Sequence, residues 1–397
     1  MAINKEQNKL NIPHLRFPEF HGEWEEHGLS EYLDFKNGLN PDSKRFGKGI
    51  KFISVMDILN NPVITYDCIR ASVQATDAEM SSFSVEYGDI LFQRSSETLE
   101  DVGRANVYID DKVAVFGGFV IRGKKKANYN PLFFRYLLSS PYARKRIIPM
   151  GAGAQHFNIG QEGLSKVLLN FPSIEEQTKI ASLLHLLDER IATQSKLIEK
   201  LESLIKGIVD CTILRKEKNA IVGDVCSISE QIRAEANIDD IITVRLHGNG
   251  VCKSSAENLQ LGATQYYRRR AGQLIYGKQN FHNGAIGIVP ISLDNGITSK
   301  DIPSFDIDEM KCNSVYLLAQ LQSPQYYKPA EALTTGTGSK RLKEETFLKL
   351  PIVLPNKREQ DNIAVLIHRA SMNLDHAKRL LELLSIQKQF LLRQMFI

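Results

Sequence analysis

What an enzyme needs is missing from this 397-residue chain. There is no GxxxxGK[ST] phosphate loop, because Gly336-Thr-Gly-Ser-Lys lacks the spacing. Asn61-Pro62-Val63-Ile64 and Asn130-Pro131-Leu132-Phe133 each match only half of the Asn/Asp-Pro-Pro-aromatic run of adenine methyltransferases, and no paired-glycine motif for a methyl-donor cofactor follows a strand. Asp306 or Asp308 with Glu309-Met310-Lys311 is a faint likeness of an acidic metal site that chance supplies easily. His156, His185, His247, His282 and His368 have no ligand spacing; His185 and His368 read as helix-packing residues. The five cysteines are scattered and odd in number, which fits a reduced cytoplasmic compartment and no metal site. No run approaches the roughly 18 apolar residues of a membrane span, and the N-terminus lacks a signal-peptide core. The net charge of +4 is too small to require an anionic partner, but permits one where basic residues cluster.

Helix breakers are also scarce in one long region. No proline lies between Pro172 and Pro290, and Gly207 is the only glycine between Gly163 and Gly223. Apolar side chains fall at Ile180, Leu184, Leu187, Ile191, Ile198, Leu201, Ile205 and Ile208, in alternating steps of four and three, with Gln194 the only polar residue on that seam. A mean step of 3.5 residues keeps a narrow stripe facing a partner helix, the coiled-coil pattern. Gln194 either sets the register or sits at a solvent-open gap. A helix of about 39 residues, from Glu175 to Ile213, extends about 58 Å and needs a partner for its stripe.

That partner lies 183 positions further on, where Ile363, Ile367, Ala370, Leu374, Ala377, Leu381, Leu384, Lys388 and Leu391 repeat the seam. Identities extend beyond the stripe: Pro172, Glu176, Gln177, Ile180, Ala181, Leu183, His185, Leu197 and Leu201 match Pro355, Glu359, Gln360, Ile363, Ala364, Leu366, His368, Leu380 and Leu384. Both copies open on a cap residue with Glu three positions on, Ser173 with Glu176 and Asn356 with Glu359, the pattern of a capping box. The chain is therefore a tandem repeat of α+β class. Two similar mixed globular domains are joined by two long antiparallel coiled-coil helices with pseudo-two-fold symmetry, which offers two similar faces to two copies of one partner.

The order is an arm at 1–23, a globular domain at 24–172, a long helix at 173–214, a second globular domain at 215–355 and a second long helix at 356–397. In the arm, two prolines within Asn11 to Phe20 exclude a helix; it either docks on the rest or is a loose terminus. In the first domain, strands are expected at 50–55, 90–94, 106–109 and 113–116, a helix at 131–147 and a flexible loop at 150–154. In the second, Gly272-Gln273-Leu274-Ile275-Tyr276-Gly277-Lys278 stands where Gly88-Asp89-Ile90-Leu91-Phe92-Gln93-Arg94 stood. The loop Thr335-Gly-Thr-Gly-Ser-Lys-Arg resembles Met150-Gly-Ala-Gly-Ala-Gln-His with a two-residue change of length.

Basic and amide side chains remain. Gln93, Arg94, Ser95 and Ser96 in one domain and Lys278, Gln279 and Asn280 in the other follow equivalent strands, and their types suit base edges: cations for guanine, amides for adenine. Lys124-Lys125-Lys126, Arg144-Lys145-Arg146, Arg268-Arg269-Arg270 and Lys340-Arg341 read as phosphate contacts or as ordinary soluble surface.

The arm Leu15-Arg16-Phe17-Pro18-Glu19-Phe20, the Gly88-Asp89-Ile90-Leu91 strand entry, the Pro-x-x-x-Glu-Gln helix starts at Pro172 and Pro355 and the half-length repeat together resemble the specificity subunit of type I restriction–modification enzymes. The resemblance covers the whole chain, with Gly272-Gln273 departing from Gly-Asp in the second half. It implies two target-recognition domains, each reading half of a bipartite, asymmetric double-stranded DNA site, and paired helices acting as a ruler for the unread spacer. It further implies two methyltransferase subunits that use S-adenosylmethionine to methylate adenine N6, restriction subunits that use ATP and Mg, and no cofactor, catalysis or membrane attachment in this chain. A single-chain methylation or restriction enzyme, and a coiled-coil adaptor that scaffolds proteins without reading DNA, are the competing readings.

Overall fold

The computed structural model describes residues 11–254, 264–336 and 340–397, so the start of the arm and part of the glycine-rich second loop lie outside the described residues. The chain forms two compact units, Met1–Gln194 with Leu380–Ile397, and Ser195–Arg379. The division passes through both long helices, so each unit contains a part of each.

In the first unit an antiparallel sheet runs in the order Leu33–Asn37, Val120–Lys125, Ile90–Gln93, Ala105–Val107. Its central strand is apolar at consecutive positions because both faces are covered. Ile90 and Phe92 join one core with Phe133, Phe134 and Leu137, while Leu91 joins another with Tyr108 and Phe116. The helix expected at 131–147 is two helices, Pro131–Ser139 and Pro141–Ile147. Pro141 lacks the N–H to continue the first but suits the opening turn of the second, where Ser140 Oγ accepts from the Ala143 N–H at 3.2 Å.

The second unit repeats this sheet as Cys226–Ile228, Ser304–Ile307, Leu274–Tyr276, Ile286–Ile288, again antiparallel throughout. The repeat extends to single hydrogen bonds. Gln177 Oε1 accepts the Asn130 N–H at 3.1 Å while its Nε2 donates to the Pro172 carbonyl at 3.0 Å; Gln360 does the same for Asn313 at 2.9 Å and Pro355 at 2.8 Å. The Glu-Gln helix start is thus a buried clamp fastening each long helix to its own globular part.

The loops at Gly153 and Gly336 correct one expectation. Ala152 and Asn158 exchange backbone hydrogen bonds at 2.9 and 2.8 Å, and Thr335 and Arg341 exchange theirs at 3.0 and 2.9 Å. Both pairs keep the 183-residue offset, so the loop lengths are equal and the two-residue change does not exist.

The first long helix is α-helical over Ile174–Val209, 36 residues, and ends in a π turn at Asp210–Leu214; the second spans Lys357–Gln394, 38 residues. The α-helical part of the first therefore stops short of Ile213 and measures about 54 Å. Every seam position from Ile180 to Ile208 and from Ile363 to Leu391 is buried or half-buried, Gln194 and Lys388 included. Within the first unit Ile180, Leu184 and Leu187 share a core with Leu384, Leu391 and Leu392, and Asp188 pairs with Lys388 at 2.5 Å. Within the second, Glu202 pairs with Lys378 at 2.8 Å, and Lys216, further along, with Glu359, earlier in its helix, as antiparallel helices require. Ile198, Leu201, Leu374 and Leu381 are half-buried along the same stripe. His185 and His368 do not pack in the seam: His185 lies 3.7 Å from Glu189 and His368 is exposed.

The capping boxes form by half. Ser173 Oγ accepts the Glu176 N–H at 3.4 Å and Asn356 Oδ1 the Glu359 N–H at 3.0 Å. The glutamates do not reach back. Glu176 is buried and held by Arg16 Nε and Nη2 at 2.8 and 2.7 Å and by Trp24 Nε1 at 3.3 Å, a charge-assisted pairing stronger than a single neutral N–H. The described part of the arm docks by this contact and by the Leu15 N–H, which donates to the Gln394 carbonyl at 2.9 Å.

Candidate nucleic-acid interface

Each central strand enters through a glycine with positive φ, Gly88 at +92° and Gly272 at +85°, a conformation that favours glycine. The next side chain closes the turn. Asp89 accepts the Glu86 N–H at 3.0 Å and the Lys125 N–H at 2.9 Å; Gln273 accepts the Arg270 N–H at 2.9 Å and donates to Asp306 at 2.9 Å. Gln therefore replaces Asp by exchanging one acceptor for a donor, and the strand position is unchanged. Burial raises the Asp89 carboxyl above its usual range against the pull of those two donors.

At the far end the strands deliver Arg94 and Lys278 to one backbone position. The Arg94 N–H donates to the Phe119 carbonyl at 2.9 Å and its carbonyl accepts from Ile159 at 3.0 Å; for Lys278 the partners are Asp301 at 2.9 Å and Leu342 at 2.9 Å. The side chains differ in company. Arg94 Nη1 donates only to the Gly118 carbonyl at 3.3 Å, and among the described residues it has no ion pair. Lys278 is paired with Glu344 at 2.7 Å. Around Arg94 lie half-buried Ser95 and Ser96; Ser95 is bonded to Asn158, and Phe119 is 69% exposed. Around Lys278 lie exposed Gln279 and Asn280, and Arg341, which reaches Asp301 at 3.3 Å.

Residues 21–203 match the family model described as the type I restriction modification DNA specificity domain. The putative type I restriction enzyme MjaX specificity subunit of Methanocaldococcus jannaschii is 24% identical over 214 residues, covering 53% of this chain; the match spans about half of that relative, 49% of its length. A crystal structure of a type I restriction–modification system S subunit from M. genitalium shares the fold, with TM-score 0.65 over 97% of this chain and 99% of that one, at 13% identity.

Burial and hydrogen bonding sort the expected residues into available and unavailable. Gln93 is buried, with its amide nitrogen on the Ser95 carbonyl at 2.9 Å, so it faces no base edge in this structure; this corrects its reading as a base contact. Lys124 and Lys125 are engaged with Glu86 at 3.3 Å and the Tyr129 carbonyl at 3.1 Å, and Lys126 is exposed. Val120 pairs with Gln93 and Gly123 with Ile90, so this lysine run lies at the opposite end of the sheet from Arg94, roughly 17 Å along the strand.

In the second unit Arg268 and Arg270 are exposed, but Arg269 is fully buried, bonded to Thr298 at 2.7 Å, Ser304 at 2.9 Å and the Ile302 carbonyl at 3.0 Å. Burial pulls its guanidinium down to about 10, and a phosphate role for Arg269 is corrected to a structural one. Lys340 is exposed beside Glu331 at 2.8 Å. Asn158 and Phe119 were not anticipated; the offset that pairs Asn158 with Arg341 carries the signal for the first. Among the described residues no group of three or more His, Cys, Asp or Glu is placed to hold a metal, and no helix is long and apolar enough to cross a membrane.

Proposed function

We propose that this chain is the sequence-reading subunit of a type I restriction–modification complex. Its two units each read one half of an asymmetric, bipartite site in double-stranded DNA. The observation that carries this reading is the shared position of Arg94 and Lys278 at the end of equivalent strands, amid otherwise different side chains. A repeated scaffold with two different rims fits two unlike half-sites, because base edges are told apart by side-chain type and reach. Arg94, Ser95 and Ser96, and Lys278, Gln279 and Asn280, are the proposed base-facing residues; Lys126, Arg268, Arg270, Lys340 and Arg341 are proposed to meet phosphates.

Chemistry is assigned to partners: adenine-N6 methylation by two methyltransferase subunits with S-adenosylmethionine, and cleavage by restriction subunits with ATP and Mg. The outward leucines support two docked copies. Leu183 and Leu380 are exposed on the first unit, and their repeat counterparts Leu366 and Leu197 on the second, so each unit presents the same pair with the roles of the helices exchanged. These identities do nothing for the seam.

The test is an adenine-methylation map of a host without other adenine methylation, expressing the chain with its cognate methyltransferase subunit. A single split motif that vanishes when this chain is omitted is expected. Methylation independent of the chain, or none despite a stable complex, would favour the adaptor reading.

A further inference from the structure

We infer that the first unit contains an oxyanion pocket, suited to a phosphate group, formed by Arg104, Arg135 and Arg144. A cavity of about 430 Å³ is lined from the helices Val55–Asn60, Pro131–Ser139 and Pro141–Ile147 and the edge strand Ala105–Val107. That volume is in the range of small-ligand sites. Arg144 places Nη2 on the carbonyls of Glu100 and Val102, at 2.8 and 2.6 Å, which leaves Nη1 buried and without a partner. A buried guanidinium N–H left unmet is costly, and an anion is what such a donor binds best.

Arg104 pairs through one nitrogen with Asp101 at 2.6 Å, and its side chain is otherwise largely exposed. It stands close enough to Arg144 for its charge to add to burial in pulling that guanidinium down to about 10. Arg135 completes the set, anchored by Asp188 at 3.2 Å. Glu100 also lines the cavity, so the case rests on the unmet Arg144 donor and on three guanidinium-bearing side chains lining one cavity, and not on net charge.

The repeat provides a control inside the same chain. At the 183-residue offset that brings Asn130 onto Asn313 and Pro141 onto Pro324, Arg135 and Arg144 correspond to Leu318 and Tyr327. The Gln93 N–H donates to the Arg104 carbonyl at 2.7 Å as the Gly277 N–H donates to that of Ala285 at 2.9 Å, so Arg104 corresponds to Ala285. Ala285 and Tyr327 are buried, and the Tyr327 ring packs so closely that a Cβ on Gly284 would lie 2.8 Å from it. The second unit closes with apolar packing the place that the first lines with three cations. The scaffold does not need arginines there; an anionic ligand would.

The phosphate could be free, or part of a nucleic-acid backbone, and two measurements on the full chain separate these sources. Calorimetric titration with inorganic phosphate at constant ionic strength should show saturable binding, weakened about tenfold or more by Arg104→Gln and by Arg144→Tyr. If phosphate does not bind but each variant lowers the salt slope of duplex binding by about one, the ligand is a backbone phosphate. Arg104→Gln alters an exposed side chain and spares the carbonyl contacts of Arg144, so it tests the pocket even if Arg144→Tyr fails to fold. No phosphate binding together with an unchanged salt slope in folded Arg104→Gln overturns the inference. The first titration does not depend on the chain reading DNA, so failure there is distinct from failure of the proposed function.

Discussion

In the first unit the central strand ends on Arg94, which has no ion pair among the described residues; in the second it ends on Lys278, held 2.7 Å from Glu344. A few residues away the two units are nearly indistinguishable. Gln177 and Gln360 make the same two hydrogen bonds, Gly88 and Gly272 adopt the same positive φ, and the loops at Gly153 and Gly336 close on the same offset. The contrast shows which positions the fold holds. A buried amide cannot be exchanged for an apolar group without stranding a donor and an acceptor, whereas a side chain at a strand end faces solvent on one side and is released from that constraint.

The comparison can be broken most sharply in the seam. Leu184→Ala and its counterpart Ile367→Ala should each cost about 2–5 kcal/mol by urea denaturation, since both are buried, while Leu183→Ala and Leu366→Ala should stay within about 0.5 kcal/mol. The outer pair should instead weaken co-purification with a methyltransferase subunit. If the inner and outer leucines cost the same, the seam is misassigned.

Next come the strand-entry turns. Asp89→Ala strands two backbone donors, at about 1–3 kcal/mol each, and Gln273→Ala strands one, so denaturation should report roughly twice the loss in the first unit. Equal losses would mean that the Asp306 carboxylate, also stranded by Gln273→Ala, costs as much as a second backbone donor. Gln177→Leu and Gln360→Leu should each destabilise by about 1–3 kcal/mol, the second by somewhat more because Gln360 Nε2 also donates to the Lys311 carbonyl at 3.1 Å. A cost in only one would break the equivalence of the clamps.

The smallest energies belong to the rims. Arg94→Ala should lose about 1–3 kcal/mol of discrimination at one base position, visible as a relaxed letter in one half of the methylation motif. Lys278→Ala should relax the other half by less, because Lys278 must first leave Glu344. Uniform loss over all sequences would make either residue a phosphate contact.

The long helices and their stripe were legible in the sequence because a 3.5-residue period is a local signal, and burial follows it at every seam position. The capping boxes were half legible: Ser173 and Asn356 cap as their types demand, but nothing near Glu176 in sequence reveals that Arg16, 160 residues away, takes its carboxylate. The equal loop lengths are hidden in the sequence because the glycine pairs Gly151/Gly153 and Gly336/Gly338 stand two residues out of the 183 register, whereas the backbone bonds of Ala152 and Thr335 keep it.

Arg268-Arg269-Arg270 marks the boundary most clearly. As a run of letters it is one basic patch; in the fold its middle residue is sealed among Thr298, Ser304 and the Ile302 carbonyl while its neighbours point to solvent. By itself the sequence determined the tandem repeat, the paired helices and the family likeness, all of which rest on spacing along the chain. The tertiary structure alone decided which polar side chains are free to meet a ligand, because availability depends on partners brought in from distant segments. Gln93 and Arg269 are closed into the interior on that account, and Asn158 and Phe119 are brought beside Arg94 and Ser95 from distant segments.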